Sequence, residues 1–218
     1  MTSKRNKVAI IGDAGHAVDV ADIALADGYD DIVFLGTEKK TEGLAGFPLL
    51  KDDIDTVNRL HGEGYVFAIG IGSSRVRKKI ANKYAQLTFP NIIHPSVTFG
   101  NIQHSSLEGK TGNVFAAGCR LTNNIHFGDF CFLGVNSTIG HDCRLGDFSS
   151  VMPGAVISGN VSLGECCYIG ANASIIQGAP GAPLIIGKDS TIGMGAVVTR
   201  DIPEAVTAVG VPAQPVKK

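Results

Sequence analysis

The chain has 218 residues, 44% hydrophobic and 18% charged, with 28 Gly, 9 Pro and no Trp, enough apolar material for one large core or two small ones. Nineteen basic residues nearly balance twenty acidic ones, a formal charge of −1, and no long basic stripe is present; a nucleic-acid grip built on phosphate neutralisation is therefore not expected. The first apolar run, Val8–Ile11, is far too short for a signal peptide or membrane span, and an odd set of five cysteines suits a reducing cytoplasm better than a disulfide framework.

Residues 1–95 read as alternating strands and helices. Strands are expected at Lys7–Ile11, Asp31–Leu35 and Tyr65–Ile69, and helices at His16–Gly28, Asp53–His61 and Ser74–Gln86. A short extended stretch then leads into His94-Pro95. Strand, helix and strand joined by short loops predict a small Rossmann-like parallel sheet, which takes ligands beyond the carboxyl ends of its strands. Gly12-Asp-Ala-Gly15-His16 joins the first strand to the first helix, where free backbone N–H groups favour phosphate. This turn lacks the GxGxxG glycines. The second strand ends in Leu35-Gly36-Thr37, without the ribose-binding acid of an NAD site, so no dinucleotide cofactor is expected. Arg75, Arg77, Lys78 and Lys79 read as a solvated basic helix face, with diphosphate binding as the alternative.

From Phe115 the helical period disappears. Every sixth residue is large and apolar: Phe115, Leu121, Phe127, Leu133, Ile139, Leu145, Val151, Ile157, Leu163, Ile169 and Ile175. After an interruption near Pro180–Leu184 the series resumes at Ile186, Ile192 and Val198. A step of six fits neither a helix nor a two-faced sheet; it needs a short strand and a turn on each flat side of a coil. Two residues earlier stands a small residue in most repeats, among them Cys119, Cys131, Ser137, Cys143, Ser149, Ala155, Cys167 and Ala173. Alternation places it on the same inward side. Glycine often follows the large residue, as at Gly128, Gly140 and Gly170, and is expected to permit tight backbone near each turn.

Four cysteines thus occupy the small inward position as compact hydrophobes, and only Cys166 is expected outside it. The spacing is not that of a metal site, so none is expected. A core of Leu, Ile and Phe holds no catalytic group, so chemistry must come from outward residues. His126 reads as a solvated or packing histidine. His141 lies two residues after inward Ile139, hence exposed, and Asp142 follows it. Imidazole takes up a proton near neutral pH, and a carboxylate can orient the ring. Neighbours in a regular strand point to opposite faces, so contact between these two requires turn geometry. Taken alone, His141 reads first as a surface histidine in a turn.

The hexads over residues 95–213 resemble the repeat of left-handed parallel β-helix acyltransferases. The whole chain, a strand–GxxGH–helix unit followed by the coil, resembles the sialic-acid O-acetyltransferase group of nucleotide-sugar acetyltransferases. Its pattern is nearest that of the bacillosamine- and perosamine-type 4-aminosugar N-acetyltransferases. That resemblance implies a nucleotide-sugar-binding domain over 1–95 and an acetyltransferase β-helix with a C-terminal tail over 96–218. It implies acetyl-CoA as co-substrate, and His141 as general base followed by acidic Asp142. It further implies substrate contacts at Ala14, Gly15, His16, Gly36, Thr37 and Gly72, and acetyl-CoA contacts at Ser150, Gly159, Ala171 and Met194. A cytoplasmic homotrimer with active sites between subunits, serving bacterial glycan synthesis, completes the expectation. The reaction implied is N-acetylation of the C4 amine of a nucleotide-linked 4-amino-4,6-dideoxy sugar, UDP-linked first, GDP- or dTDP-linked as alternatives. Sugar O-acetylation and a non-catalytic β-helix module are the rival readings. The chain departs from the family at three places. Ser150 stands where many members carry a second histidine, and Gly36 and Thr37 stand where uridine-binding members carry acids. Gln214 replaces a basic residue in the closing segment, which shifts a phosphate contact to Lys217 or Lys218.

Overall fold

The computed structural model describes residues 6–38, 40–101 and 107–216. The chain divides into two compact units, Met1–Pro95 and Ser96–Lys218. Among the described residues, no helix is long and apolar enough to cross a membrane.

In the first unit β1 (Lys7–Ile11) is central, a run of β-branched residues buried on both faces, as a parallel strand covered by helices must be. It pairs in parallel with β2 (Asp31–Gly36) on one side. The later strand Val66–Ile69 pairs with it on the other. The helices are α1 (Gly15–Ala26), α2 (Ile54–Gly62) and α3 (Ser74–Lys83). The sequence pattern does not announce β3 (Lys40–Leu44) and β4 (Phe47–Lys51), an antiparallel hairpin whose second strand extends the sheet in parallel beyond β2. Its turn uses Ala45 (φ 50°) and Gly46 (φ 83°), so the Asn-Gly or Asp-Gly pair that usually marks such a turn is missing.

The second unit is a parallel β-helix. Strand pairing advances by 18 residues per turn up to the break in the hexads: Phe132 pairs with Ser150 and Ser150 with Tyr168, as Thr138 does with Val156 and Arg144 with Ser162. Three hexads therefore make one turn, and three parallel sheets form the sides of a prism. All the large hexad residues point inward: Leu133, Ile139, Val151 and Ile169 are fully buried, as are Cys119, Ser137, Cys143 and Cys167 at the small positions. Leu133→Ala should cost about 2–5 kcal/mol through lost burial and the cavity left behind. The denaturant midpoint reads that loss.

The corners turn through left-handed backbone three residues after most of the large residues, at Asn124, Phe130, Asn136, Asp142, Phe148, Asn160, Cys166 and Asn172, and at Gly118, Gly154 and Gly195. The glycine right after the large residue, expected to permit tight backbone near the turn, is not itself the turning residue; it allows close stacking. A Cβ at Gly170 would lie 2.5 Å from the backbone nitrogen of Met194 on the next turn. Cys166, expected outside the core, is also buried. Its edge of the prism is apolar: the rings of Phe130 and Phe148 stack with centroids 5.1 Å apart, and Cys166 follows them one turn on.

Candidate active site

His141 sits on the edge between the sheet containing Thr138–Ile139 and that containing Arg144–Leu145. Asp142 is the left-handed corner residue (φ 59°), and this geometry lets two adjacent side chains meet. His141 Nδ1 lies 2.7 Å from Asp142 Oδ2, and both side chains are open to solvent, 51% and 44% exposed. Asn124, the corner residue one turn earlier, donates from Nδ2 to Asp142 Oδ1 at 2.5 Å. That bond first, and His141 second, hold the Asp142 carboxyl below the usual carboxylate range. An ionised carboxylate only accepts, so in the neutral ring the proton between the pair belongs to Nδ1 of His141 and Nε2 keeps its lone pair.

One turn further on, Gly159 forms the floor. A Cβ there would stand 2.6 Å from both Cε1 and Nε2 of His141. The break in the hexads lies on the same edge: the loop closed by Ala179 and Ala182 stands over Gly159, with Gly178 N–H donating to the Gly159 carbonyl at 3.0 Å. The sequence pattern shows this loop only as an interruption of the hexads near Pro180–Leu184, and it does not mark Asn124. The 18-residue step finds both, since Asn124 lies one turn before Asp142 and the loop one turn after Gly159.

The other residues expected at the acetyl-CoA site lie elsewhere on the prism. Ala171 and 82%-exposed Met194 share the edge before the sheet that carries His141's strand. Ser150 is fully buried between Phe132 and Tyr168, in a third position. Gln214 accepts a hydrogen bond from Arg200, and Lys217 and Lys218 lie outside the described residues. An open depression of about 480 Å³ lies against the sheet after His141, lined by Lys110, His126, Arg144 and Asp147 among others; no residue expected at the site lines it. Burial pushes the Cys143 and Cys167 thiols up to about 11, so neither is a nucleophile at neutral pH. Among the described residues, no group of three or more His, Cys, Asp or Glu is placed to hold a metal.

In the first unit, Gly12 bends the chain out of β1 with φ 146°, and a Cβ there would strike the Gly70 carbonyl. Ala14 caps α1 with backbone alone, and no acid occupies the first turn of the helix, which leaves its N–H groups open to an anion. Gly15 and Gly72 face open space, whereas Gly36 is closed by Asp13. His16 is half-buried, and burial, then the charge of Arg77, lowers its pKa, which favours the neutral ring. Arg77 corrects the reading of α3 as a wholly solvated basic face: it is 3% exposed and donates from Nη1 to the carbonyls of Ile71 and Gly72. It fastens the loop that holds Gly72.

A three-sided β-helix with an exposed imidazole–carboxylate pair on its edge, preceded by a small parallel-sheet domain with a glycine turn, defines a hexapeptide-repeat acyltransferase. The comparisons narrow this. Residues 7–84 match the PglD N-terminal domain, and residues 143–177 match the bacterial transferase hexapeptide (six repeats). The GDP-perosamine N-acetyltransferase of Escherichia coli O157:H7 is 34% identical over 155 residues, 70% of this chain and 68% of that protein. The acetyltransferase domain of PglB from Neisseria gonorrhoeae superposes with a TM-score of 0.84 at 32% identity, over 97% of this chain and 100% of that one. PerB from Caulobacter crescentus, solved with CoA and GDP-perosamine, gives 0.85 at 30% identity, over 97% and 98%. The chain belongs to the PglD-type nucleotide-sugar acetyltransferases of the hexapeptide-repeat family, and it is an enzyme.

Proposed function

We propose that this enzyme transfers the acetyl group of acetyl-CoA to the C4 amine of a nucleotide-linked 4-amino-4,6-dideoxy sugar, GDP-linked in the first instance. Guanosine replaces the uridine of the sequence-based expectation for two reasons. Among the relatives at least 30% identical, those whose names carry a nucleotide are a GDP-perosamine enzyme and one solved with GDP-perosamine. Gly36 and Thr37 also lack the acids of uridine-binding members.

The observation that carries the chemistry is the His141–Asp142 pair, open to solvent and held over Gly159. The amine nitrogen attacks the thioester carbonyl carbon while Nε2 of His141 removes its proton. The C–S bond breaks, and the proton passes to the departing sulfur to give CoA thiol. Asp142 orients the ring and stabilises its cation. The glycine turn at Ala14, Gly15 and His16 takes the diphosphate at the start of α1, with Gly36, Thr37 and Gly72 around it. His141 and Gly159 lie on one edge of the prism, and Ala171 and Met194 on another. A groove holding all four forms where the edges of two copies meet, the reason to propose a homotrimer with shared active sites. A cytoplasmic location fits the supply of acetyl-CoA.

The test is thiol release from acetyl-CoA with GDP-, UDP- and dTDP-linked 4-amino sugars and their 4-hydroxy counterparts. Turnover is expected with the amines, highest for the GDP-linked one. Turnover confined to the hydroxy sugars would replace this reading by O-acetylation, and binding without turnover would replace it by a non-catalytic module.

A further inference from the structure

Parallel sheets of this kind ordinarily carry an acid at the end of the second strand, where it accepts a hydroxyl of a nucleotide's ribose. Here β2 ends in Gly36, followed by Thr37, and supplies none. The structure nevertheless places a carboxylate at that point, from a different element. Asp13, in the turn between β1 and α1, lies across the end of β2, so that a Cβ on Gly36 would stand 2.7 Å from both its Cβ and its Oδ2. Gly36 is thus the vacancy into which the Asp13 side chain fits. Thr37 fixes it there, donating to Oδ2 from its backbone N–H at 3.1 Å and from its hydroxyl at 3.2 Å.

We propose that Asp13 binds the ribose of the nucleotide and makes the enzyme select ribonucleotide over deoxyribonucleotide substrates. This rests on the nucleotide-sugar reading above. Oδ2 already receives two donors, whereas Oδ1 has no hydrogen-bond partner among the described residues. The turn beside it is open, since a Cβ on Gly15 or Gly72 would meet nothing within 4 Å. One free oxygen on a clamped, half-buried carboxylate suits a hydroxyl donor. The paired N–H donors on the edge of a guanine would require two free oxygens. A ligand without the hydroxyl leaves the acceptor unmatched and forgoes a hydrogen bond to a charged group, about 10- to 100-fold in affinity.

The experiment is calorimetric titration of the wild-type protein and Asp13→Ala. The ligands are GDP and UDP, then the 2′-deoxy and 3′-deoxy forms of whichever binds more tightly. The wild type should lose about 10- to 100-fold on at least one deoxy form. Asp13→Ala should bind the parent nucleotide more weakly by a similar factor and no longer separate it from the deoxy forms. If Asp13→Ala melts early, Asp13→Asn, which keeps an oxygen for Thr37 and replaces the charged acceptor by a neutral amide, should narrow the same ratio. Equal wild-type affinity for ribo and deoxy forms, or an unchanged ratio in the variants, overturns the proposal while leaving the nucleotide-sugar reading intact. A wild type that binds neither GDP nor UDP overturns both.

Discussion

His141→Ala should lower kcat for acetyl transfer by about 10²- to 10⁴-fold, the range that a positioned general base supplies, with the affinity for nucleotide-sugar unchanged. The ring carries no structural duty. At 51% exposure it fills no core, and inward Ile139 and Cys143 on either side of it hold the turn of the coil without it. Removing the ring should therefore leave the melting temperature close to that of the wild type. What is lost is Nε2, the one nitrogen of the ring left by the Asp142 contact with a lone pair for the incoming amine. The remaining rate comes from holding the two substrates together, which by itself contributes up to roughly 7–11 kcal/mol in favourable geometry. Initial rates of thiol release and calorimetry on the same preparations separate the two effects. Turnover near that of the wild type would remove His141 from the mechanism; weakened nucleotide-sugar affinity would assign it to binding.

The architecture was legible in the sequence because a three-sided coil repeats one physical demand. Each face needs a large apolar residue inward, and Phe115 to Ile175 meets that demand at every sixth position without exception. The candidate site was half legible. Adjacent His141 and Asp142 stand out in a coil poor in titratable groups, but their contact depends on the left-handed corner at Asp142, a property of backbone. Asn124 and Gly159 are visible only once the 18-residue turn is applied as a ruler in both directions from the pair. Other features carry no local signal. The β3–β4 hairpin turns on Ala45, a residue with no turn preference of its own to display. Arg77 is buried because the carbonyls of Ile71 and Gly72 receive it, yet a run of basic residues on a helix reads as solvent-facing until the loop before it is placed. Asp13 reaches β2 across the fold, an approach for which Gly36 leaves room and of which the sequence around either residue says nothing.

Gly159→Ala should reduce kcat by about 10²-fold, the cost of displacing a reacting group by roughly 1 Å. The added methyl carbon would stand 2.6 Å from Cε1 and Nε2 and 3.0 Å from Cδ2 of His141, and these are its three nearest neighbours. At such distances one side must yield. The Gly159 backbone is tied into the coil through its carbonyl, which accepts from Gly178 N–H at 3.0 Å, while the ring is held only through Nδ1 to Asp142 at 2.7 Å. The ring therefore moves, carrying Nε2 away from the amine and straining the bond that orients it. A loss of acetyl-CoA binding at Gly159 would give the same fall in rate, so the discriminating measurement is a double-mutant cycle with His141→Ala. With the ring gone, the methyl has the space it needs, and Gly159→Ala should then cost almost nothing further. A methyl group that blocks the acetyl-CoA path instead lowers the residual rate of His141→Ala by the same factor as it lowers the wild type, and that additivity would show Gly159 to be a cofactor contact rather than the seat of the catalytic ring.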